Sequence, residues 1–278
     1  MFDSKKPQPD TAEHDAWFPS EFSLAQYVPP MTDYEAAEPG TVTSGPRKIL
    51  MIATDERYLP VEGGQLFSTG NHPVETLLPV MHLVQAGYEV EVATPSGLMA
   101  KLELWAFPAK DQAVKDAYEA LLPKLKAPKK LADVIAHELG AGSDYAAVFI
   151  PGGHGAMIGL PSDEQVGTVL RWALDNDRHI ITLCHGPAAL LAAGDAFAGY
   201  KIAVFPDSLD EGANVKIGYL PGKLTWALGE RLKQRGVELV NDGMTGAVHA
   251  DRLLLTGDSP LAANALGQLA VEKLRERV

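Results

Sequence analysis

The sequence predicts an α/β fold with a mainly parallel sheet that carries helices on both faces. Strand patterns alternate with helix patterns from Arg47 onward, and this alternation is typical of strands joined by crossover helices. Several strand segments are nearly continuous apolar runs, which indicates strands that are buried on both faces. The chain has 278 residues, enough to bury the core of one large α/β domain or of a domain with a sizeable insertion.

The predicted elements follow one another along the chain. Strands are expected at 48–53, 88–93, 145–150, 179–183, 201–205, 237–241 and 252–256, and helices at 73–86, 162–176, 187–193, 224–234 and from Ser259 onward. Asn71 precedes the first of these helices, and Ser162 with Gln165 has the pattern of a capping box. Pro260 suits the first position of the last helix, with Ser259 as its N-cap.

Two segments do not fit the alternation. Residues 1–46 contain seven prolines among acidic residues, so neither helix nor strand periodicity persists, and we expect a Pro-rich N-terminal arm. Its aromatic residues suggest that the arm lies over the body or over a partner subunit, although a disordered leader fits the composition nearly as well. Residues 96–143 are too long for one connection and are expected to form an inserted subdomain at the rim of the catalytic α/β domain, 47–278.

Charge and cysteine content limit the setting and the partners. The net charge of −12 disfavours contact with a phosphate backbone, so we expect no stable nucleic-acid complex, although a small nucleotide could be a substrate. A single cysteine excludes an intramolecular disulfide, and the first residues lack the apolar run of a signal peptide or membrane anchor. These features predict a cytoplasmic protein that makes no contact with a membrane.

Cys184, the single cysteine, stands where a predicted strand ends and a predicted helix begins. It is followed at once by His185, Gly186 and Pro187. Backbone N–H groups and the helix dipole at such a turn favour thiolate over thiol, which is the condition for a nucleophile. The alternative is a small buried hydrophobic side chain, which is the usual role of a lone cysteine.

Three further segments lie at strand ends or at a helix start, where the ligand crevice of an open α/β sheet is found. The glycine-rich turn 151–155 follows one strand and can offer free N–H groups to an oxyanion, or it is a plain connecting turn. Asp207 and Asp210 follow another strand, and either could orient His185, or both belong to a solvated loop. Glu75 opens the first helix, where an acid also complements the helix dipole.

These residues resemble the ThiJ/PfpI superfamily. The resemblance is carried by the glycine turn 151–155, the elbow Leu183-Cys184-His185-Gly186-Pro187 and Glu75 in the first helix turn. Four more segments are similar to the long HchA-type branch, namely 55–60, 68–73, 129–133 and 255–260. The resemblance implies a flavodoxin-like and class I glutamine amidotransferase-like fold, a homodimer, and a heat-inducible holding chaperone with glyoxalase III and protein deglycase activity.

The resemblance also assigns roles to individual residues. It makes Cys184 the nucleophile, His185 the adjacent imidazole and Asp210, rather than Asp207, the acid that orients it. It places Glu75 against the thiol. Backbone N–H groups of Gly153 and His185 are implied to form the oxyanion pocket, and the oxyanion and substrate-binding residues are Gly152, Gly153 and His154.

The resemblance bears on metal binding as well. Some relatives bind a metal through two histidines and a glutamate, at positions that here read Val84, Glu89 and Leu121. Two of the three ligands are therefore missing, and no other compact ligand spacing replaces them. We expect no metal and no other cofactor.

The implied reaction begins with attack of Cys184 on the aldehyde carbon of a small 2-oxoaldehyde such as methylglyoxal or glyoxal. A proton is then transferred between neighbouring carbons. Glu75 acts as a proton shuttle, His185 takes and returns a second proton, and the product is lactate or glycolate without a redox cofactor. The same attack on an early aldehyde adduct of protein or nucleotide groups would be a deglycase reaction.

Two other functions remain open at this point. The chain could be a holding chaperone for unfolded proteins without significant catalysis, since an exposed apolar patch suffices for that role. It could also be a cysteine amidohydrolase or peptidase on the same fold. An α/β-hydrolase is disfavoured because the sequence contains no G-x-S-x-G motif.

Overall fold

The computed structural model describes residues 4–36, 45–140 and 142–276. Within them the strands are β1 Gln8–Pro9, β2 Ala16–Phe18, β3 Lys48–Ile52, β4 Tyr58–Pro60, β5 Leu66–Ser68, β6 Glu89–Thr94, β7 Lys129–Lys130, β8 Tyr145–Ile150, β9 His179–Leu183, β10 Lys201–Ile202, β11 Glu238–Leu239, β12 Val248–Asp251 and β13 Leu254–Gly257. The α-helices are α1 Glu21–Tyr27, α2 Pro73–Gln85, α3 Gln112–Lys126, α4 Leu131–His137, α5 Glu164–Asp175, α6 Asn214–Lys216, α7 Leu228–Gln234 and α8 Ala263–Arg275. Shorter helical turns are of the 3₁₀ type, except for a π-helical turn at Leu209–Ala213.

The main sheet confirms the predicted α/β class. In the described residues it has seven strands in the order β12-β13-β9-β8-β3-β6-β7. The pairs from β13 through to β7 are parallel, and β12 joins β13 antiparallel at one edge. The carboxyl ends of β8 and β9 therefore lie side by side near the centre of the sheet, where an open α/β sheet places its ligand crevice.

Two apolar layers cover the faces of this sheet. Ile49 and Met51 of β3 point into one layer, and Leu50 and Ile52 point into the other, as the alternation of side chains along a strand requires. Helices α2 and α8 pack together over the first face, and α5 packs with the 3₁₀ segment Gly186–Ala193 over the second. The predicted cover of helices on both faces is confirmed.

Several predicted helix starts are wrong in detail. Helix α5 begins after Asp163, whose carboxylate accepts the N–H groups of Gln165 and Val166, so the predicted capping box at Ser162 does not form. Ser162 instead donates its hydroxyl to the carbonyl of Gly159. The predicted helix at 187–193 is a 3₁₀ segment from Gly186. Asp163 is a better cap because its Oδ1 accepts two N–H groups that have no partner within the helix.

The C-terminal third differs most from expectation. The strands expected at 201–205 and 237–241 shorten to β10 and β11, which pair with each other and not with the main sheet. The edge strand β12 was not predicted. Helix α8 starts at Ala263 after a 3₁₀ turn, and Ser259 donates its hydroxyl to Asp258 instead of capping that helix.

The N-terminal segment is more regular than its prolines suggest. Strands β1 and β2 join β5 and β4 in a small sheet, and α1 is capped by Ser20. The Ser20 hydroxyl also donates to the carbonyl oxygen of Ile217, at an O···O distance of 2.6 Å, and this hydrogen bond holds the start of α1 against the body. This contact agrees with an arm that lies over the body. The alternative, a disordered leader, does not hold for residues 4–36, while 1–3 and 37–44 lie outside the described residues.

The segment expected as an insertion joins the main sheet at one point. Strand β7 pairs in parallel with β6 at the sheet edge, and α3 packs against α2. The domain boundaries 1–46, 47–278 and about 96–143 stay predictions. Among residues 4–36, 45–140 and 142–276, no helix combines the length and the apolar character needed to span a bilayer.

Candidate active site

A cavity of about 410 Å³ opens at the carboxyl ends of β8 and β9. Its floor contains the predicted site residues Cys184, His185, His154, Gly153 and Glu75. Aromatic and aliphatic side chains form most of the remaining wall, which consists of Gln26, Tyr27, Val28, Pro29, His72, Trp105, Phe205, Asn214, Tyr219, Met244, Pro260 and Leu261. The structure thus brings residues from distant parts of the chain to one enclosed site.

Cys184 sits on a sharp backbone turn directly after β9. Its φ of 57° lies in the left-handed region, which costs a residue with a side chain about 1–2 kcal/mol. Two backbone hydrogen bonds hold the strain, because the Cys184 N–H donates to Gly257 and the Phe205 N–H donates to the Cys184 carbonyl. Two residues further on, Gly186 cannot carry a side chain, since a Cβ there would come within 2.3 Å of the Thr182 hydroxyl oxygen. The turn presents the sulfur to the cavity, as a nucleophile elbow does.

The sulfur begins a chain of hydrogen-bonded groups. Cys184 Sγ lies 3.2 Å from Nδ1 of His185, and Nε2 of His185 lies 2.7 Å from Oδ2 of Asp210. Asn214 donates to the other oxygen of Asp210 at 2.7 Å. The geometry therefore brings Asp210 to His185, as the resemblance implied. Asp207 is directed elsewhere and accepts the N–H groups that open α7.

The charges of this chain follow from burial and from its partners. Although burial opposes ionisation, the imidazoles of His154 and His185 hold the pKa of Asp210 well below its usual range. Burial and the neighbouring His154 lower the pKa of His185 in spite of Asp210. A neutral His185 that donates from Nε2 to Asp210 has a free lone pair on Nδ1, which faces the sulfur.

Glu75 contacts the thiol from the first turn of α2, where it was predicted. Burial is the main reason that the pKa of this fully buried carboxyl is raised well above its ordinary value. Neither of its oxygens makes a hydrogen bond of normal geometry within the described residues, although Cys184 and the Gly153 N–H lie close enough to affect its pKa.

The prediction of a resident thiolate is not supported. Burial, and then the Glu75 carboxyl, raise the pKa of the Cys184 thiol, while the Gly153 N–H acts in the opposite direction but is the smaller effect. Two buried acids in contact hold at most one negative charge at neutral pH, because desolvation and mutual repulsion both favour the neutral forms. Proton acceptance by His185 Nδ1 therefore becomes the route by which the sulfur gains nucleophilic character.

The glycine turn after β8 is packed too closely for larger residues. A Cβ on Gly152 would lie 1.9 Å from Glu75 Oε2 and 2.8 Å from the Cβ of Cys184. Gly153 has a φ of 98°, and its N–H approaches the thiol and Glu75. The ring of His154 also lines the cavity, and its Nε2 lies 3.1 Å from Asp210. Assignment of an oxyanion role to these residues stays a prediction.

Some site residues were missed by the sequence interpretation. Glu103 is fully buried beside the His154 side of the cavity, and its carboxylate accepts the hydroxyl of Thr69. Burial raises its pKa to about 7, while His154 opposes the shift. Tyr219, whose ring packs against His154, was missed as well. Neither residue follows a predicted strand, so no local pattern marks them, and tertiary packing alone brings them in.

One group of side chains could hold a metal by its chemistry. Among the described residues, ligand atoms of His154, His185 and Asp210 lie within 4.8 Å of one another. These atoms already bond to one another, so an ion would have to break two hydrogen bonds. Of the positions that hold metal ligands in some relatives, Val84 and Glu89 are exposed. The absence of a metal and of a cofactor stays a prediction.

Comparison with known proteins finds relatives in sequence and in structure. The protein/nucleic acid deglycase HchA of Staphylococcus aureus is 58% identical over 277 residues, which cover 98% of this chain and 95% of that protein. Glyoxalase III from Candida albicans superposes with a TM-score of 0.65 at 21% identity, over 81% of this chain and 96% of that one. The Francisella tularensis rapid encystment protein superposes with a TM-score of 0.68 at 17% identity, over 82% and 99% of the two chains.

The two solved structures support the fold, and the curated relative supports the predicted HchA-type branch. The family model for DJ-1/PfpI matches residues 66–273, which include the turn after β8, the Cys184 elbow and Glu75. This chain belongs to the DJ-1/PfpI family.

Proposed function

We propose that this chain is a cysteine-dependent glyoxalase III and deglycase that converts methylglyoxal to lactate and glyoxal to glycolate. The observation that carries the proposal is the contact of Cys184 Sγ with His185 Nδ1 at 3.2 Å, at the floor of an enclosed cavity and backed by Asp210. The HchA relatives are named as protein/nucleic acid deglycases, which supports an enzyme of this type.

The first step is addition of the sulfur to the aldehyde. His185 Nδ1 takes the thiol proton as Cys184 Sγ bonds to the aldehyde carbon, and His185 then passes this proton to the former carbonyl oxygen, which becomes the hydroxyl of a hemithioacetal. Asp210 keeps the Nε2–H of His185 in place and stabilises the transient imidazolium. The Gly153 N–H, which already faces the sulfur, is placed to stabilise the developing oxyanion.

The second step moves hydrogen between adjacent carbons. A base removes the proton from the former aldehyde carbon, and the electron pair shifts through an enediol so that a proton is added to the neighbouring carbon. The aldehyde carbon is thereby oxidised to a thioester while the ketone carbon is reduced to an alcohol. Burial favours the protonated form of Glu75, so this carboxyl can donate its proton to the ketone oxygen while neutral His185 accepts the proton from carbon. Glu75 regains a proton from the first hydroxyl as the thioester carbonyl forms, and His185 delivers its proton to the neighbouring carbon.

The third step releases the product. His185 takes a proton from the water that adds to the thioester, the carbon–sulfur bond breaks, and His185 gives this proton to Cys184 as lactate leaves. The sum is methylglyoxal plus one water giving lactate. The oxidation and the reduction occur on neighbouring carbons of one substrate, so the balance requires no redox cofactor.

The depth of the thiol favours a small substrate. Cys184 is only 4% exposed, and the cavity above it is far smaller than a bound polypeptide requires. This supports free aldehyde as the better substrate than an adduct on a folded protein, and it also disfavours a peptidase. If breakdown of adducts never exceeds the spontaneous release of aldehyde, the deglycase part of the proposal fails and the glyoxalase part stands.

The proposal is tested by a single substitution, because this chain has one cysteine. We expect Cys184→Ala to abolish formation of D-lactate from methylglyoxal, measured with a D-lactate-specific assay, while the melting temperature stays near that of the wild type. Lactate formation by the variant at the wild-type rate would exclude a covalent route through this sulfur.

The oligomeric state, the cellular location and the chaperone activity each have a direct test. A homodimer is tested by sedimentation, a cytoplasmic location by fractionation, and holding-chaperone activity on unfolded clients by suppression of aggregation. If Cys184→Ala suppresses aggregation as well as the wild type, the chaperone function is separate from catalysis.

A further inference from the structure

Two imidazoles share one buried carboxylate in this site. Asp210 meets His185 through Oδ2 at 2.7 Å and His154 through Oδ1 at 3.1 Å. The rings of the two histidines lie in contact in a tilted arrangement, with centroids 3.8 Å apart and an angle of 34° between the planes. Both rings are buried. Two imidazolium ions at this separation would repel strongly in a medium of low dielectric, so a single carboxylate does not support both charges.

The surroundings of the two rings differ. His154 has a second carboxyl group near it, since Glu103 lies close to the His154 backbone N–H and raises the pKa of the ring. The Nδ1 of His185 instead meets the sulfur of Cys184, which burial keeps protonated. The ionisable side chains that face one ring or the other from the surrounding elements are His72, Glu75, Glu103, Cys184, Asp207, Asp210 and Tyr219. His72 is neutral here, because burial lowers its pKa to about 3.

We propose that His154 carries the positive charge that balances Asp210, so that His185 stays a neutral imidazole whose Nδ1 can accept the Cys184 proton. His154 is then a positioning residue, because it acts on the sulfur through Asp210 and His185. His185 makes the shorter contact with Asp210, but a neutral donor forms that hydrogen bond equally well. The positive charge on His154 disfavours a second positive charge on His185, so His185 stays neutral until it accepts the proton of the Cys184 thiol.

The directions of the two shifts agree with this assignment. Asp210 and Glu103 raise the pKa of His154 although burial opposes it. Burial, and next the charge of His154, lower the pKa of His185 although Asp210 opposes this. The difference in protonation between the two histidines matters for the proposed reaction, and the functional meaning of this inference rests on that proposed function. A base that is already protonated cannot accept the thiol proton, and Asp210 alone would favour protonation.

The test is a ring titration of labelled histidines by NMR, in which nitrogen shifts separate charged rings from neutral rings and report the tautomer. In the wild type we expect His154 to be charged at pH 7 and His185 to be neutral with its proton on Nε2. In His154→Gln we expect the His185 midpoint to rise by about one pH unit or more. A charged His185 in the wild type, or an unchanged midpoint in the variant, would overturn the proposal.

Two further variants separate this charge effect from a change of structure. His72→Gln removes a buried, neutral imidazole from the same cavity and should leave the His185 midpoint in place. Glu103→Gln keeps both rings but removes the second carboxyl, so the His154 midpoint should fall. If His154→Gln does not fold, the wild-type spectrum and Glu103→Gln still decide, because a His154 midpoint that does not respond refutes the assignment.

A kinetic readout links the charge to the reaction. In His154→Gln the acidic limb of kcat/KM for methylglyoxal should move to higher pH by the same shift as the His185 midpoint, whereas in His72→Gln it should stay. If the wild type forms no lactate at any pH, the proposed function fails, and the ring titrations still test the charge assignment on their own. A limb that stays in place while the midpoint moves would refute His185 as the base.

Discussion

Glu103→Gln should make the stability of this protein less sensitive to rising pH. Glu103 is fully buried, and burial raises the pKa of its carboxyl from an ordinary value of 4.5 to about 7. Between these two values the folded protein keeps a proton that the unfolded chain has released. The wild type therefore loses stability as the pH rises through this range, and a glutamine, which binds no proton, removes that loss.

The size of the effect follows from the two pKa values. Proton linkage gives a loss of about 2 kcal/mol in the free energy of unfolding between about pH 5.5 and about pH 8.5. His154 acts in the same direction, because a histidine whose folded pKa is raised also loses its stabilising effect as the pH rises, and Glu103 is one cause of that raised pKa. The stability of Glu103→Gln relative to the wild type should thus increase by about 2 kcal/mol or more across this interval.

The assay is urea unfolding of both proteins at the two pH values, followed by tryptophan fluorescence. Glu119→Gln is the matched control, because it makes the same change in net charge at an exposed position on α3. We expect the control to differ from the wild type by the same small amount at both pH values. Equal differences at both pH values for Glu103→Gln, or a shift as large in the control, would refute a proton held by Glu103.

Three other substitutions test the site and the core. Asp210→Asn should lower kcat/KM for methylglyoxal by about 10³-fold or more, because the amide favours the wrong tautomer of the base, whereas Asp207→Asn should lower it far less. Gly152→Ala should displace Glu75 from the sulfur and abolish lactate formation, since its Cβ has no room; turnover near the wild-type rate would contradict that contact. Tyr145→Phe removes a hydroxyl that donates to two carboxylates far from the cavity, so it should cost about 1–3 kcal/mol in urea unfolding at unchanged kcat.

The sequence predicts the central sheet well because its signals are local there. Strands β8 and β9 lie where apolar runs placed them, and α2 ends within a residue of expectation. These elements are buried on both sides, so pattern and structure agree. The predictions weaken where pairing partners decide, as for β10 and β11, whose strands pair with each other instead of extending the main sheet.

The site residues also divide into those that a local sequence signal marks and those that only tertiary packing brings in. Cys184, His185 and Glu75 occupy strand ends and a helix start, which are positions that a sequence marks. Glu103 gains its importance from a neighbour 51 positions along the chain, His154, and no spacing rule connects the two. The charge on the sulfur also could not be predicted, since the helix start favours a thiolate while the depth of burial opposes it and is the larger effect.

The cavity wall formed by residues 26–29 lies upstream of residues 66–273, the part that matches the family model. Ser20 fastens this segment to Ile217, and the ring of Tyr27 meets that of Tyr219 edge to face at 5.5 Å. Part of the cavity wall is thus contributed by a separate stretch of chain, which contacts the segment just after Asp210. Substitutions in residues 26–29 would therefore change the shape of the cavity, and with it the range of substrates, without altering Cys184, His185 or Asp210.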